Sequence, residues 1–312
     1  MTIGIVASGR NAGLAIIRGL RAVELVGTGS IGGFVSFVAI SKEKELLRAN
    51  TQVGGTATLF PEGEPPEKFA SATIAALMSS GPNRPEPLSQ FTPGEVDVGL
   101  VSGHRLPNAA SANQVPINCS VLAALRAGVP IEEAIRSVLD VEPDADAGIV
   151  AVDNLGLISL GNSTLVERRQ DIGSGMHHDP NGLSMGVIHN AIFPHRPLAN
   201  LAIETARYSV DPVDHSNGYL SASSGVPVLI AKKNLVFVDE NKRLLKVEVE
   251  QHSLALPGLH HGAAIPFHTE VSLNGQIVGH TMHEPYCIIE NGLIRQLNGQ
   301  SALEIPVNWR SA

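Results

Sequence analysis

Three arginines follow short apolar runs that read alike. Arg10 closes IGIVASGR, Arg105 closes VGLVSGHR and Arg196 closes MGVIHNAIFPHR. A guanidinium is planar and grips a carboxylate through two parallel N–H bonds. Three of them brought to one place would select a compact acid, a dicarboxylate above all. Serines accompany them: Ser8 and Ser102 in the Ser-Gly turns, Ser30 in GTGSIGG and Ser223 in SASSG. A serine in a glycine-rich turn exposes its hydroxyl beside main-chain N–H groups, the makings of an oxyanion site. A nucleophile also needs a base, and His104 stands in the second turn, with Lys232 and Lys233 further on. Ser30 and His104 are therefore the candidates for chemistry, and Arg10, Arg105, Arg196, Ser8, Ser102 and Ser223 those for holding substrate.

Other chemistries find less support. Eleven of the twelve histidines fall between His177 and His283, but HEXXH is absent. Adjacent histidines on a strand point to opposite faces, so no metal site is expected. GTGSIGG precedes a strand, whereas phosphate loops open a helix. Cys119 and Cys287 form neither a metal spacing nor a disulfide framework. No cofactor is expected.

These residues need elements to position them. Ile3–Ser8 reads as a strand and Asn11–Val26 as a helix, with Asn11 as its N-cap and Gly27 as its stop. FVSFVAI and ELLRANT predict two strands, and Glu67–Ser80 a helix. The order restarts at Val98 with a strand, then NCSVLAALRAG and IEEAIRSVLD as helices and AGIVAVDNLGLISLGN as a hairpin. A third round opens at Met185, continues through a helix over 197–209 and ends in several hairpins. The expected fold is mixed α+β, with three strand-helix-hairpin units, 1–97, 98–184 and 185–312, in a pseudo-threefold arrangement around one site.

The 312 residues carry a formal net charge of −8, which argues against a nucleic-acid partner. Hydrophobic residues make up 43% and charged residues 17%, as in a globular chain. No run of 18 apolar residues and no basic-then-apolar leader is present, so a cytoplasmic chain without a membrane partner is expected. A homo-oligomer is the default expectation.

Two family resemblances follow. The three units, each with an arginine, two with Ser-Gly, look like the cyanuric acid hydrolase and barbiturase family, whose units bind a small ring and open a C–N bond. The chain as a whole is also similar to the cofactor-independent deaminases of aminomuconate-type acids. Separately, Leu122–Ser163 (LAALRAGVPIEEAIRSVLDVEPDADAGIVAVDNLGLISLGNS) resembles the helix–helix–hairpin segment of N-terminal-nucleophile (Ntn) hydrolases. That resemblance implies an αββα sandwich and a freed N-terminal residue as nucleophile and base. Thr2 fits, because methionine is readily removed before a small residue.

The expected function is hydrolysis of a C–N bond in a small carboxylated molecule, with release of ammonia from an aminomuconate-type acid. The alternatives are an Ntn-type amidohydrolase using Thr2 and a non-catalytic small-acid binding protein.

Overall fold

The two stretches that read alike, Thr2–Ser8 and Gly99–Arg105, are both strands in the computed structural model, which describes residues 1–179, 182–210 and 216–310. The fold is mixed α+β, with several sheets and few helices. Contacts divide the chain into two compact units, Met1–Pro212 and Val213–Ala312. The expected boundaries do not separate compact units, and the one at 184/185 cuts through a strand. The reason is pairing: that strand hydrogen-bonds the first strand of the chain along its whole length.

The first unit runs β1 (Thr2–Ser8), α1 (Ala12–Val26), β2 (Val35–Ile40), β3 (Leu46–Thr51), α2 (Glu67–Ala70), β4 (Ile74–Ser80), β5 (Gly94–Glu95) and β6 (Gly99–Arg105). It continues with α3 (Ile117–Arg126), α4 (Ile131–Asp140), β7 (Ala147–Asp153), β8 (Ile158–Asn162), α5 (Thr164–Glu167), β9 (Ile172–His177), β10 (Ser184–Asn190) and α6 (His195–Val210). One sheet has the order β3-β2-β4-β1-β10-β9 and the other β5-β6-β7-β8. Side chains alternate across a strand, and β1 shows where each face goes. Ile3, Ile5 and Ala7 join α1 and α6 in one core. Val6, on the opposite face, packs with Leu100, Val150 and Val152 of the second sheet. The far side of that sheet is covered by Ile117, Val121, Ile135 and Leu139 of α3 and α4. The layers therefore run helix pair, sheet, sheet, helix pair.

Between the sheets the chains come unusually near. Facing sheets usually stand about 10 Å apart. Here a Cβ on Gly4 of β1 would lie 2.5 Å from the Gly103 carbonyl oxygen of β6. Only glycine allows main chain to meet main chain in this way.

The predicted helix over Glu67–Ser80 is confined to Glu67–Ala70; Ile74–Ser80 is β4, between β1 and β2. β4 is buried along its whole length. Its Ala, Leu and Met favour a helix, whereas β1 and β2 are richer in β-branched residues. Asn11 does precede α1, at φ 59, but its side chain caps nothing.

The second unit is almost entirely β: β11 (Gly218–Ser223), β12 (Val228–Ile230), β13 (Leu235–Val238), β14 (Leu244–Val249), β15 (Leu259–Gly262), β16 (Glu270–Leu273), β17 (Gln276–Thr281), β18 (Cys287–Glu290), β19 (Leu293–Leu297) and β20 (Ala302–Trp309). Seven strands form one sheet, β11-β20-β17-β16-β13-β14-β12, and β15-β18-β19 another. Leu220, Val236, Val247, Ile289 and Ile305 are central to its core. Among the described residues, no helix is long and apolar enough to cross a membrane.

Candidate active site

Strand register sorts the first unit into two ends. Thr2 of β1 pairs with Ser80 of β4 and Asn190 of β10, while Ser8 pairs with Ile74 and Ser184. Arg105 at the end of β6 touches Thr2, so β6 runs opposite to β1. The seven residues of β1 separate the ends by roughly 20 Å at about 3.3 Å per residue.

At the first end, Thr2 faces the second sheet and is buried. Its hydroxyl donates to Asn190 Oδ1 at 2.8 Å and accepts the Arg105 main-chain N–H at 2.5 Å. His104, fully buried, lies beside the same amide: Nδ1 is 3.4 Å from Asn190 Oδ1, and Nε2 is 2.8 Å from Asn162 Oδ1. Burial lowers the His104 pKa, which favours the neutral ring. A neutral imidazole carries one N–H, and the shorter contact directs it to Asn162. Asn190 Nδ2 is buried without a partner, a donor held next to the threonine hydroxyl.

Three guanidinium groups surround the start of β1. Arg105 forks onto Asp146, with Nε 2.7 Å from Oδ1 and Nη2 against Oδ2. Arg169 forks onto Asp171, at 2.8 and 2.5 Å. Each arginine, chiefly through these hydrogen bonds, holds its partner carboxyl below the ordinary range. Arg84 differs. Its Nη2 donates to Ser80 Oγ at 2.6 Å, its Nε is buried without an acceptor, and no carboxylate pairs with it among the described residues. The Gln52 side-chain amide fixes the Arg84 main chain, accepting its N–H and donating to its carbonyl, both at 2.9 Å. Three cations against two anions leave one positive charge. Burial, then Arg105 and Arg84, lower the pKa of the Met1 amine here, against an opposing pull from Asp171.

The expected site residues are dispersed. Arg105 is half-buried and bound to Asp146, while Arg10 is exposed beyond Ser8 at the other end of β1. Arg196 is exposed near the start of α6. The three arginines therefore do not share one place. The repeated motif differs in structure too: Ser102–Arg105 stays within β6, whereas Gly9 and Arg10 lie in a turn after β1. Ser8 donates to the Gly156 carbonyl at 2.7 Å and Ser102 to the Leu77 carbonyl at 2.6 Å, so both hydroxyl protons are engaged. Ser30 is exposed; its main-chain N–H, not its hydroxyl, approaches Met1, 3.0 Å from Sδ. Ser223 is exposed on β11 in the second unit. His104 alone among the chemical candidates stands inside the cluster.

The residues that sequence reasoning missed are Ser80, Arg84, Asn162 and Asn190. Arg84 sits in a Pro-rich loop with no periodicity, and Asn190 reaches Thr2 only through the register of β10 on β1. Around Ser8 the surface opens into a cleft of about 510 Å³ lined by Ser8, Asn154, Leu155, His178 and Ser184 among others.

Comparison with known proteins bears on these two units. A family model described as Domain of unknown function (DUF6963) matches residues 2–219, and one described as Domain of unknown function (DUF7259) matches residues 225–302. No curated protein matches the chain. The two matches part close to where the two compact units part. The first takes in Thr2, Ser80, Arg84, His104, Arg105 and Asn190 and covers more than half of the sequence, so the chain belongs to the DUF6963 family.

Proposed function

We propose that this protein hydrolyses a C–N bond in a small carboxylated molecule, with Thr2, freed by cleavage of the Met1–Thr2 bond, as its nucleophile. The observation that carries the reading is the Thr2 hydroxyl, held between the Asn190 amide and the Arg105 N–H at the start of a central strand. The order of the layers, helix pair, sheet, sheet, helix pair, supports the resemblance to Ntn hydrolases.

In this reading the freed Thr2 amine is the base. An α-amine ordinarily titrates near 8. Here burial and the guanidinium groups of Arg105, Arg84 and Arg169 lower the Met1 amine, and the Thr2 amine would stand one residue further in. In its neutral form the amine accepts the hydroxyl proton as Oγ attacks the substrate carbonyl carbon. The C–N bond breaks, the leaving nitrogen takes that proton, and an ester remains on Thr2. Water, deprotonated by the same amine, then releases the acid. The surplus positive charge favours an anionic substrate.

The test combines intact mass with hydrolysis of a panel of small carboxylated amides. Active protein is expected to lack Met1, and Thr2→Ala to lose all turnover while remaining folded. Turnover by protein that retains Met1, or by Thr2→Ala, would sink the reading.

A further inference from the structure

Two polar side chains line up in series behind the Met1 carbonyl oxygen. Ser80 Oγ donates to this oxygen at 2.5 Å, and Arg84 Nη2 donates to Ser80 Oγ at 2.6 Å. A hydroxyl donates more strongly when it accepts from a cation. The carbonyl carbon here belongs to the bond that must break to free Thr2. From Oγ through Cβ, Cα and N to that carbon is a run of five atoms, so attack by Oγ closes a five-membered ring and puts negative charge on the oxygen that Ser80 already holds.

Nothing in the fold requires such an arrangement. Ser80 could serve the β-ladder with its main chain alone, and among the described residues Arg84 has no carboxylate to neutralise. Arg84 instead keeps an unpaired, buried Nε, at a cost a purely structural loop would avoid. Its main chain is gripped on both sides by Gln52, so the guanidinium is positioned in advance. Donors fixed before charge develops are what transition-state stabilisation needs.

We infer that Ser80, charged by Arg84, is the oxyanion donor of the Thr2 site: the position of the Met1 carbonyl oxygen is where the acyl oxygen of the substrate becomes negative. The inference rests on Thr2 being the nucleophile. Ser80 touches the reacting oxygen, and Arg84 acts through it as a positioning residue.

The experiment uses p-nitrophenyl acetate on the full chain with Thr2 free. Thr2 Oγ takes the acetyl group, p-nitrophenolate leaves, and the Oγ proton goes to the amine. Phenolate release gives the acylation rate, and peptide mass mapping locates the acetyl group on Thr2. Ser80→Ala is expected to slow acylation by roughly a hundredfold at saturating ester, with the half-saturating concentration unchanged. Ser80→Thr, which keeps a hydroxyl, stays within a few-fold of wild type. Arg84→Gln slows acylation by about tenfold, and Arg84→Lys, which keeps the charge, recovers part of this. A merely structural role would not separate Ser80→Ala from Ser80→Thr in rate alone at equal melting temperature. Wild-type rates in folded Ser80→Ala overturn the assignment and leave Thr2 as nucleophile. Absence of acetyl on Thr2 in the wild-type protein overturns both.

Discussion

The two ends of β1 carry hydroxyls of the same kind in opposite circumstances. At the Ser8 end the protein is open, with a cleft of about 510 Å³, yet the Ser8 hydroxyl spends its proton on the Gly156 carbonyl. At the Thr2 end it is closed, and the buried hydroxyl lies between the Asn190 amide and the Arg105 main-chain N–H. The comparison teaches that room and reactivity are separate properties. A cleft admits a molecule, but a nucleophile needs fixed donors and a nearby base. In the proposed reaction it is removal of Met1 that would open the Thr2 end to a substrate.

Exchanging the fates of the two ends gives the largest expected effect. Thr2→Ala should abolish hydrolysis, whereas Ser8→Ala should leave kcat/KM within about twofold and cost only about 1 kcal/mol for one hydrogen bond. Steady-state kinetics and thermal melting of both variants check this; a dead Ser8→Ala would reverse the roles of the ends. Next comes Gly4→Ala. The added methyl meets the Gly103 main chain, which cannot step aside, so a loss of about 1–3 kcal/mol is expected from overpacking. Denaturant unfolding measures it.

A smaller effect concerns acid. His189 is fully buried beside Thr2's neighbour Ile3 in the register. Burial, aided by His104 and His195, pushes its pKa down to about 4. An unfolded histidine titrates near 6.5. Between these values the unfolded chain binds a proton that the folded chain refuses, so stability falls as pH drops through that window. His189→Leu should flatten the fall between about pH 6.5 and about pH 4, read as melting temperature; an unchanged slope would clear His189 of the acid sensitivity. The smallest effect is a shift without loss of mechanism. Arg84 helps to lower the Met1 amine; if the freed Thr2 amine feels the same guanidinium, then in Arg84→Gln that amine rises and the acid limb of the kcat/KM profile moves to higher pH. A limb that stays in place would show that burial and Arg105 alone tune the base.

Much of the fold was legible because residue preference and helical spacing are local. β1, α1, β2, β3 and the α3–α4–β7–β8 run all match elements expected from spacing. β4 was misread because its Ala, Leu and Met favour a helix whereas β1 and β2 are richer in β-branched residues, and with it went the place of Ser80. The three-unit division failed for a different reason: Met185–Asn190 resembles β1 and β6 in composition, but only hydrogen bonding shows that it belongs beside β1. The site suffered most. Thr2 was visible as a small residue after methionine, and His104 as a lone histidine in a repeated motif. Asn190, Asn162 and Arg84 reach Thr2 or its neighbours from 188, 160 and 82 residues away, separations that no local pattern reports. Equivalence of Arg10 with Arg105 was an error of direction, since antiparallel strands carry matching motifs to opposite ends.

The meeting of Gly4 and Gly103 has a bearing on how this family can vary. Where side chains separate two sheets, a change of one residue can be absorbed by its neighbours, and the gap drifts. Here the gap is set by backbone against backbone and has a hard stop. The Arg105 N–H and the Thr2 hydroxyl inherit that tolerance, each being two residues beyond the contact. The pair of glycines works as a gauge block, so sequences that diverge in every surrounding core position can still keep the same reach between strand and strand.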